Sequence, residues 1–109
     1  PEQAGQVLGM YRVLAPLFQP YDLAIDELTL TGRGSWRAQL DTGAVLELGR
    51  GQGDEVVART ERFLRTVKPV ASQYGRTVAA VEGADLRHNE GYALRLRGVT
   101  TVVADPKKK

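Results

Sequence analysis

The 109-residue sequence contains no cysteine and only one histidine, and it has little excess charge. Without cysteine the chain has no disulfide framework, no thiolate zinc site and no cysteine nucleophile. Its 15 Lys and Arg residues stand against 13 Asp and Glu residues, which gives a net charge of +2. Three of the positive charges are the lysines at 107–109, so the rest of the chain is almost neutral. This balance argues against nucleic-acid binding, which needs Lys and Arg concentrated on one face.

Long apolar runs are also missing, and a transmembrane helix needs about 20 consecutive apolar residues. The length fits a single domain, because domains commonly have roughly 100–200 residues. The chain begins at Pro1 and not at an initiator methionine, so we expect a processed or excised part of a longer protein. We expect residues 1–104 to form the domain and the basic segment 105–109 to be a disordered tail.

Apolar side chains at helical spacing predict two helices. The first covers residues 1–22, and Pro16 predicts a kink or break within it because proline lacks the amide N–H and clashes with the preceding turn. The second is predicted to start at Asp54, as its N-terminal cap, and to end at Pro69.

Alternation of apolar and polar residues predicts the strands. Trp36–Leu40 and Ala44–Leu48 read as an antiparallel hairpin, and 78–86 with Tyr92–Arg97 read as a second one. In an earlier strand the apolar parity changes near 26–27, which predicts either a β-bulge there or an early end of the strand. This order of elements predicts an α+β fold, with an antiparallel or mixed β-sheet of two hairpins and helices packed on one face.

A glycine-rich stretch precedes the second predicted helix, where exposed amide groups could bind an anion. The spacing of Gly49, Gly51 and Gly53 matches no phosphate-binding motif, and Asp54 would bring negative charge to the helix end. We therefore interpret this stretch as a flexible connector.

The only histidine, His88, lies three residues after Asp85, and the two could serve a small hydrolase or ligand-binding domain. Residues three apart on a strand face opposite sides, however. The simpler interpretation is a turn histidine and an aspartate paired with a nearby arginine. One histidine and scattered carboxylates also make a metal site improbable, and we expect no cofactor.

Arg59, Arg62 and Arg65 lie on adjacent turns of the second predicted helix. Together with the lysine tail they could bind anionic lipid. The alternative is a solvated helix face on which the arginines pair with Glu55 and Glu61.

The segment Tyr92–Arg97 alternates cleanly and is the last well-formed predicted strand. A last strand often lies at a sheet edge, where unpaired N–H and C=O groups can accept another strand. Arg95 and Arg97 would protect such an edge and attract an acidic partner. The alternative is an edge that 99–103 shields by folding back.

Three stretches resemble the FtsQ/DivIB family of bacterial cell-division proteins. They are Gly34–Gly43 with Leu46–Arg50, similar to the family's W-x-L-x-L-x-[ND]-G-x-x-L-x-L-G hairpin; Arg62-Phe63 in the following helix; and Asp85–Leu94, similar to its D-L-R-Y-x-x-G-x-A-[VL] run. Two positions depart from the pattern. Ala38 stands where a larger apolar residue is common, and His88 stands where the family usually has tyrosine.

The resemblance implies a non-enzymatic divisome scaffold, of which this chain would be the C-terminal β domain. Such proteins are tethered to the inner membrane by a transmembrane helix absent here, and they act on its periplasmic face at the division septum. The implied partners are the periplasmic segments of FtsB and FtsL, one of which adds a strand to the terminal sheet edge. The expected side-chain contacts are Arg33, Arg87 and His88, and the expected main-chain contacts are Tyr92, Ala93, Leu94, Arg95, Leu96 and Arg97.

Overall fold

The structure is a computed structural model that describes residues 2–87, 91–99 and 102–104. Within these residues a six-stranded mixed sheet is ordered β1-β2-β3-β4-β5-β6, as in the chain. The elements are α1 (Glu2–Phe18), β1 (Ile25–Leu30), β2 (Trp36–Leu40), β3 (Val45–Gly49), α2 (Gly53–Gln73), β4 (Val81–Asp85), β5 (Tyr92–Leu96) and β6 (Val102–Ala104). Short 3-10 helices cover Gln19–Tyr21 and Val78–Ala80.

The sheet consists of two antiparallel meanders joined side by side. β1, β2 and β3 form one, and β4, β5 and β6 form the other. β3 and β4 run parallel, with Leu46 opposite Ala84. Parallel neighbours require a crossover connection, and α2 provides it. The predicted α+β fold with a mixed sheet is therefore confirmed, including the antiparallel hairpin of β2 and β3.

The predicted bulge lies in β1, between Ile25 and Glu27. It shifts the alternation by one residue, so that Leu28 pairs with Ala38 and Leu30 pairs with Trp36. Without this shift the two leucines would point away from the helices. The change of apolar parity in the sequence thus marks a real irregularity of the strand.

One hydrophobic core lies between the sheet and the helices. Trp36 is only 6% exposed, as expected for an apolar residue on the covered face of β2. The α2 residues in this core are Val56, Phe63, Leu64, Val67 and Ala71, and the α1 residues are Met10, Leu14 and Phe18. The opposite face of the sheet carries polar side chains, including Arg37, Gln39 and Arg95, and is exposed.

Neither proline breaks its helix, so the predicted end at Pro69 is wrong, and of the kink or break predicted at Pro16 the break does not occur. α1 continues through Pro16 to Phe18, and α2 continues through Pro69 to Gln73. Each proline is exposed, so water can bond the carbonyl that loses its partner one turn earlier. In both helices a buried residue after the proline, Phe18 or Ala71, holds the next turn in the core.

The start of α2 also differs from the prediction. The N-terminal cap is Gln52, two residues before Asp54. The Gln52 N–H donates to Glu55 Oε1 over 2.7 Å, which satisfies an amide at the helix start. Since Asp54 and Glu55 both lie in the first turn, the helix end carries negative charge, and the connector interpretation of the glycine-rich stretch fits this geometry better than an anion site.

β5 is not the open edge of the sheet, so that prediction is wrong. Val102–Ala104 folds back as β6 and pairs with β5 from Tyr92 to Leu94. The reversal begins at Gly98, whose φ of +76° suits glycine. The second hairpin is also shorter than predicted, because 78–80 form a 3-10 helix before β4 begins.

In the described part of the chain, no helix is long and apolar enough to cross a membrane.

Candidate functional site

Five arginine side chains meet at an open cavity of about 710 Å³ at one end of the sheet. Four strands bring them together, because their loops or first residues lie at this end. Among the described residues that line the cavity, Glu47 contributes the only carboxylate. The five arginines are Arg33 after β1, Arg37 in β2, Arg50 after β3, Arg59 in α2 and Arg87 after β4.

The cavity keeps an excess of positive charge after its internal contacts are counted. Arg37 Nε lies 2.7 Å from Glu47 Oε2 and neutralises that carboxylate. Arg59 Nη1 donates to the Leu48 carbonyl over 2.8 Å, which leaves its charge uncompensated. Neither Arg33 nor Arg50 has an ion-pair partner among the described residues. Guanidinium groups bind carboxylates through two parallel hydrogen bonds, so this cavity suits an acidic ligand.

Arg87 is held in position by Asp85. Its Nε and Nη2 donate to the two carboxylate oxygens over 2.8 and 2.7 Å, and its main-chain N–H donates over 3.0 Å. The hydrogen bonds and charge of Asp85 raise the pKa of the Arg87 guanidinium. The Arg87 side chain is still 58% exposed, so it can contact a partner. The interpretation of Asp85 as the partner of a nearby arginine is confirmed.

Gly49 lets the arginines approach each other. It has a φ of +85°, and a Cβ atom there would lie 3.1 Å from Arg87 Cγ and 3.2 Å from Arg59 Nη1. Any larger residue would therefore be strained and would push these side chains apart. A glycine that the sequence suggests is a flexible connector is in fact part of the cavity wall.

The alternative site of Asp85 and His88 receives no support from this geometry. Both carboxylate oxygens of Asp85 are engaged by Arg87, and Asp85 does not line the arginine cavity. His88 lies outside the described residues. The lysine tail at 105–109 lies outside them as well.

The predicted contact residues of β5 fall into two groups. Tyr92, Leu94 and Leu96 are at most 1% exposed, and their side chains belong to the core. Ala93 is half-buried and Arg95 is exposed, and Arg95 Nε lies 3.8 Å from Glu82 Oε1. Three of the side chains are therefore buried, and the main chain of β5 pairs with β4 on one side and, from Tyr92 to Leu94, with β6 on the other. The next residue, Arg97, is exposed.

Helix α2 contacts the start of β5, and the sequence does not predict these contacts. Thr66 Oγ1 and the Tyr92 hydroxyl lie 2.6 Å apart, and Arg62 Nη2 donates to the Gly91 carbonyl over 3.3 Å. The rings of Phe63 and Tyr92 meet edge to face with centroids 5.2 Å apart. Burial raises the pKa of Tyr92, so this phenol stays protonated and keeps its contact with Thr66. The family resemblance singles out Arg62 and Phe63 in the sequence. It does not show that they contact Gly91 and Tyr92.

The row of α2 arginines is not one solvated face. Arg59 and Arg62 are half-buried and donate to carbonyl groups of Leu48 and Gly91, while Arg65 is exposed. Arg59 and Arg62 therefore do not lie on the fully solvated face that the second interpretation expected. They tie α2 to the sheet on the side where the cavity and β5 lie.

Comparison with known proteins places these features in a family. The family model "Cell division protein FtsQ/DivIB, C-terminal" matches residues 1–87. The cell division protein FtsQ of Burkholderia pseudomallei is 31% identical over 107 residues, which cover 97% of this chain and 42% of that protein. FtsQ of Bordetella pertussis is 36% identical over 83% of this chain and 37% of that protein, and FtsQ of Shewanella oneidensis is 35% identical over 86% of this chain and 34% of that protein.

The chain thus spans about a third to two fifths of the length of these curated relatives. The family model covers the two helices, β1 to β4 and every arginine of the cavity. The chain belongs to the FtsQ/DivIB family of cell-division proteins and matches the model of that family's C-terminal part.

Proposed function

We propose that this chain is a protein-binding domain of the bacterial divisome that holds the periplasmic segments of FtsB and FtsL. It acts as a scaffold and not as an enzyme, on the periplasmic face of the inner membrane at the division septum. A transmembrane helix elsewhere in the full-length protein tethers it there. Its membership of the FtsQ/DivIB family supports the role in cell division.

The observation that carries the proposal is the convergence of Arg33 and Arg87 on one cavity. These residues are 54 positions apart in the sequence, and both are expected to contact the partner. The described lining of the cavity adds three further arginines and one carboxylate. Arginines in this arrangement can form charge-assisted hydrogen bonds with an acidic segment of the partner.

The second part of the proposed contact is a partner strand added at the end of the sheet that β5 and β6 form. Asp85, which holds Arg87, pairs directly with Ala93 of β5. A segment whose acidic residues enter the cavity is therefore close enough to continue along this end of the sheet as an extended strand. Main-chain pairing would supply affinity, and the arginines would fix the register and select the partner.

Charge reversal tests the arginine contacts. The dissociation constant for a synthetic periplasmic segment of FtsB, alone and with that of FtsL, is measured by calorimetry for the parent chain and for Arg33→Glu and Arg87→Glu. We expect each variant to bind about tenfold or more weakly, because a hydrogen bond to a charged group contributes roughly 1.5–3 kcal/mol. Binding of the parent chain should weaken as salt rises.

Arg12→Glu is the matched control, since Arg12 is an exposed arginine of α1 and does not line the cavity. It should bind like the parent chain. Equal weakening by all three substitutions would mean that net charge alone matters. A complete lack of binding by the folded parent chain would contradict the proposed function.

A further inference from the structure

Helix α1 has few charged residues for a helix that lies at the surface. Between Ala4 and Phe18 it carries a single charged residue, Arg12. Helix α2, which packs on the same core, carries seven charged residues between Gly53 and Gln73. A helix that is packed on one side only normally has charged residues on its other side, whereas a helix that is apolar all round is normally covered. The composition of α1 therefore indicates that more than its core side is covered.

The exposed apolar side chains of the protein are concentrated in and just after this helix. Among the described residues, five large hydrophobic side chains are exposed, and four of them lie between positions 8 and 21. Leu8 and Val13 are each 49% exposed, and Tyr11 is 40% exposed. Single exposed apolar residues are ordinary on a protein surface, whereas their concentration in one element is typical of an interaction surface.

Helical geometry places some of these side chains in one row. Since residues three and four apart share a side of an α-helix, Ala4, Leu8, Tyr11 and Ala15 form a row that we call the outer flank of α1. The first three are exposed, and Ala15 is half-buried. Val13 lies on roughly the opposite side of the helix, because each residue turns the helix by about 100°. The outer flank is therefore a continuous apolar row of about three turns.

The outer flank faces away from α2. Gln6 and Gly9 of α1 line a cavity together with residues 51–53 at the start of α2, and Leu17 lines another with Leu64 of α2. These α1 positions lie on roughly the opposite side of the helix from the outer flank. Because α1 packs on β1 and α2 packs on β3, the outer flank points past β1, the first strand in the sheet order. It thus lies at the other edge of the sheet from β6.

The curated relatives contain much more chain than this sequence. More than half of each relative lies outside the region that this chain matches. The matched family model is that of the C-terminal part, so in these proteins the remaining chain mainly precedes the counterpart of α1. Since α1 is the first element and Ala4 lies in its first turn, a preceding part of the protein would lie directly beside the outer flank.

We propose that the outer flank of α1 is an intramolecular docking surface for a folded part of the same protein that precedes α1. The occupant presents apolar side chains that cover Leu8 and Tyr11. A short tether raises the effective concentration of the occupant to the millimolar range, so a small apolar surface is sufficient. A second copy of the chain is less well suited, because separate molecules need about 1,000 Å² or more of buried surface.

This docking surface is separate from the proposed contact with FtsB. None of the four residues of the outer flank lines the arginine cavity, and the partner strand is proposed to add at the opposite edge of the sheet. The inference therefore does not depend on FtsB binding. Docking at the outer flank would fix the orientation of this domain relative to the preceding part of the protein.

Cysteine labelling in two lengths of the protein tests the docking. The sequence contains no cysteine, so L8C and V13C each introduce one thiol into this part of the protein. Leu8 and Val13 are equally exposed in this chain but lie on opposite sides of α1, so V13C is a matched control. The rate of reaction with a maleimide is measured at each site by mass spectrometry, in this chain and in the whole periplasmic part of the full-length protein.

We expect L8C to react at least about tenfold more slowly in the longer protein than in this chain, because the thiol reacts only in the minor population in which the docked part is open. V13C should react at the same rate in both. Y11C is a second variant on the outer flank. It should behave like L8C, and it keeps the test decisive if L8C does not fold.

Equal rates for L8C and Y11C in the two lengths would overturn the inference. An equal slowing of V13C would overturn it too, because the protection would then not be specific to the outer flank. Labelling of L8C that slows in this chain alone as the protein concentration rises would identify a second copy as the occupant and would also overturn it. Each of these results leaves the proposed binding of FtsB standing.

Discussion

The hydroxyl groups of Thr66 and Tyr92 lie 2.6 Å apart and join the middle of α2 to the first residue of β5. Thr66 Oγ1 also lies 2.8 Å from the Arg62 carbonyl. Arg62 in turn donates to the carbonyl of Gly91, the residue before Tyr92. The end of the sheet that is proposed to receive the partner is therefore positioned from inside the core, through β5, by the same helix that supplies Arg59 to the arginine cavity.

Replacing Tyr92 by phenylalanine should lower the free energy of unfolding by about 1 kcal/mol, the usual contribution of one hydrogen bond. The cost should stay this small because Thr66 keeps its contact with the Arg62 carbonyl. Chemical denaturation gives the value. Tyr74→Phe is the control, since Tyr74 is 41% exposed, and it should change little. Equal effects of the two substitutions would contradict a contribution from the Thr66 contact.

The stability should also fall in alkaline solution because of Tyr92. Burial raises the pKa of its phenol in the folded state, while the unfolded chain ionises near pH 10. Above about pH 10 the unfolded state loses this proton and the folded state keeps it, so the free energy of unfolding decreases as pH rises. The difference between the parent chain and Tyr92→Phe, followed by denaturation from about pH 9 to 11, should shrink. A constant difference would contradict the assignment.

Trp36 should be essential for stability. It is 6% exposed at the start of β2 and lies opposite Leu30. Trp36→Ala should cost about 3–5 kcal/mol, and Trp36→Phe should cost less because it leaves a smaller cavity. Denaturant titration measures both. A loss below about 1 kcal/mol for the alanine variant would show that Trp36 does not fill the core between α1 and the sheet.

Alanine substitutions at two glycines distinguish the cost of a strained backbone from the cost of crowding the neighbouring side chains. Gly43 and Gly49 have φ values of +92° and +85°, but only Gly49 has side-chain atoms near the position of a Cβ. Alanine at either position should cost about 1–2 kcal/mol for the left-handed backbone. Gly49→Ala should cost more, and it should also weaken binding of the FtsB segment, because it displaces Arg87 and Arg59. Equal stability and equal binding of the two variants would contradict a role for Gly49 in shaping the cavity.

The sequence predicts the elements well where the pattern is local. The bulge near Glu27, the hairpin through Gly43 and the buried Trp36 all follow from alternation and turn chemistry. Proline predicts the end of a helix less well, because its effect depends on whether the proline is exposed to solvent. Pro16 and Pro69 are tolerated since they face water, and that property belongs to the folded chain.

The site is harder to predict than the elements, because it is made of contacts between distant segments. The resemblance of the sequence to the FtsQ/DivIB family suggests Arg33 and Arg87, but nothing local shows that Arg37, Arg50 and Arg59 join them. The three-residue strand β6 is too short for a periodic pattern, so the sequence leaves both an open and a covered β5 possible.

The most direct test of the proposed interface is a residue-level map of the partner contact. A uniformly 15N-labelled chain is titrated with the unlabelled periplasmic segment of FtsB, and amide shifts are followed by NMR. We expect the largest changes at Arg33, Arg50, Arg87 and the amides of β5 and β6, with little change at exposed positions of α1 such as Arg12. Changes centred on α1, or no changes at a saturating concentration of the segment, would contradict the proposed interface.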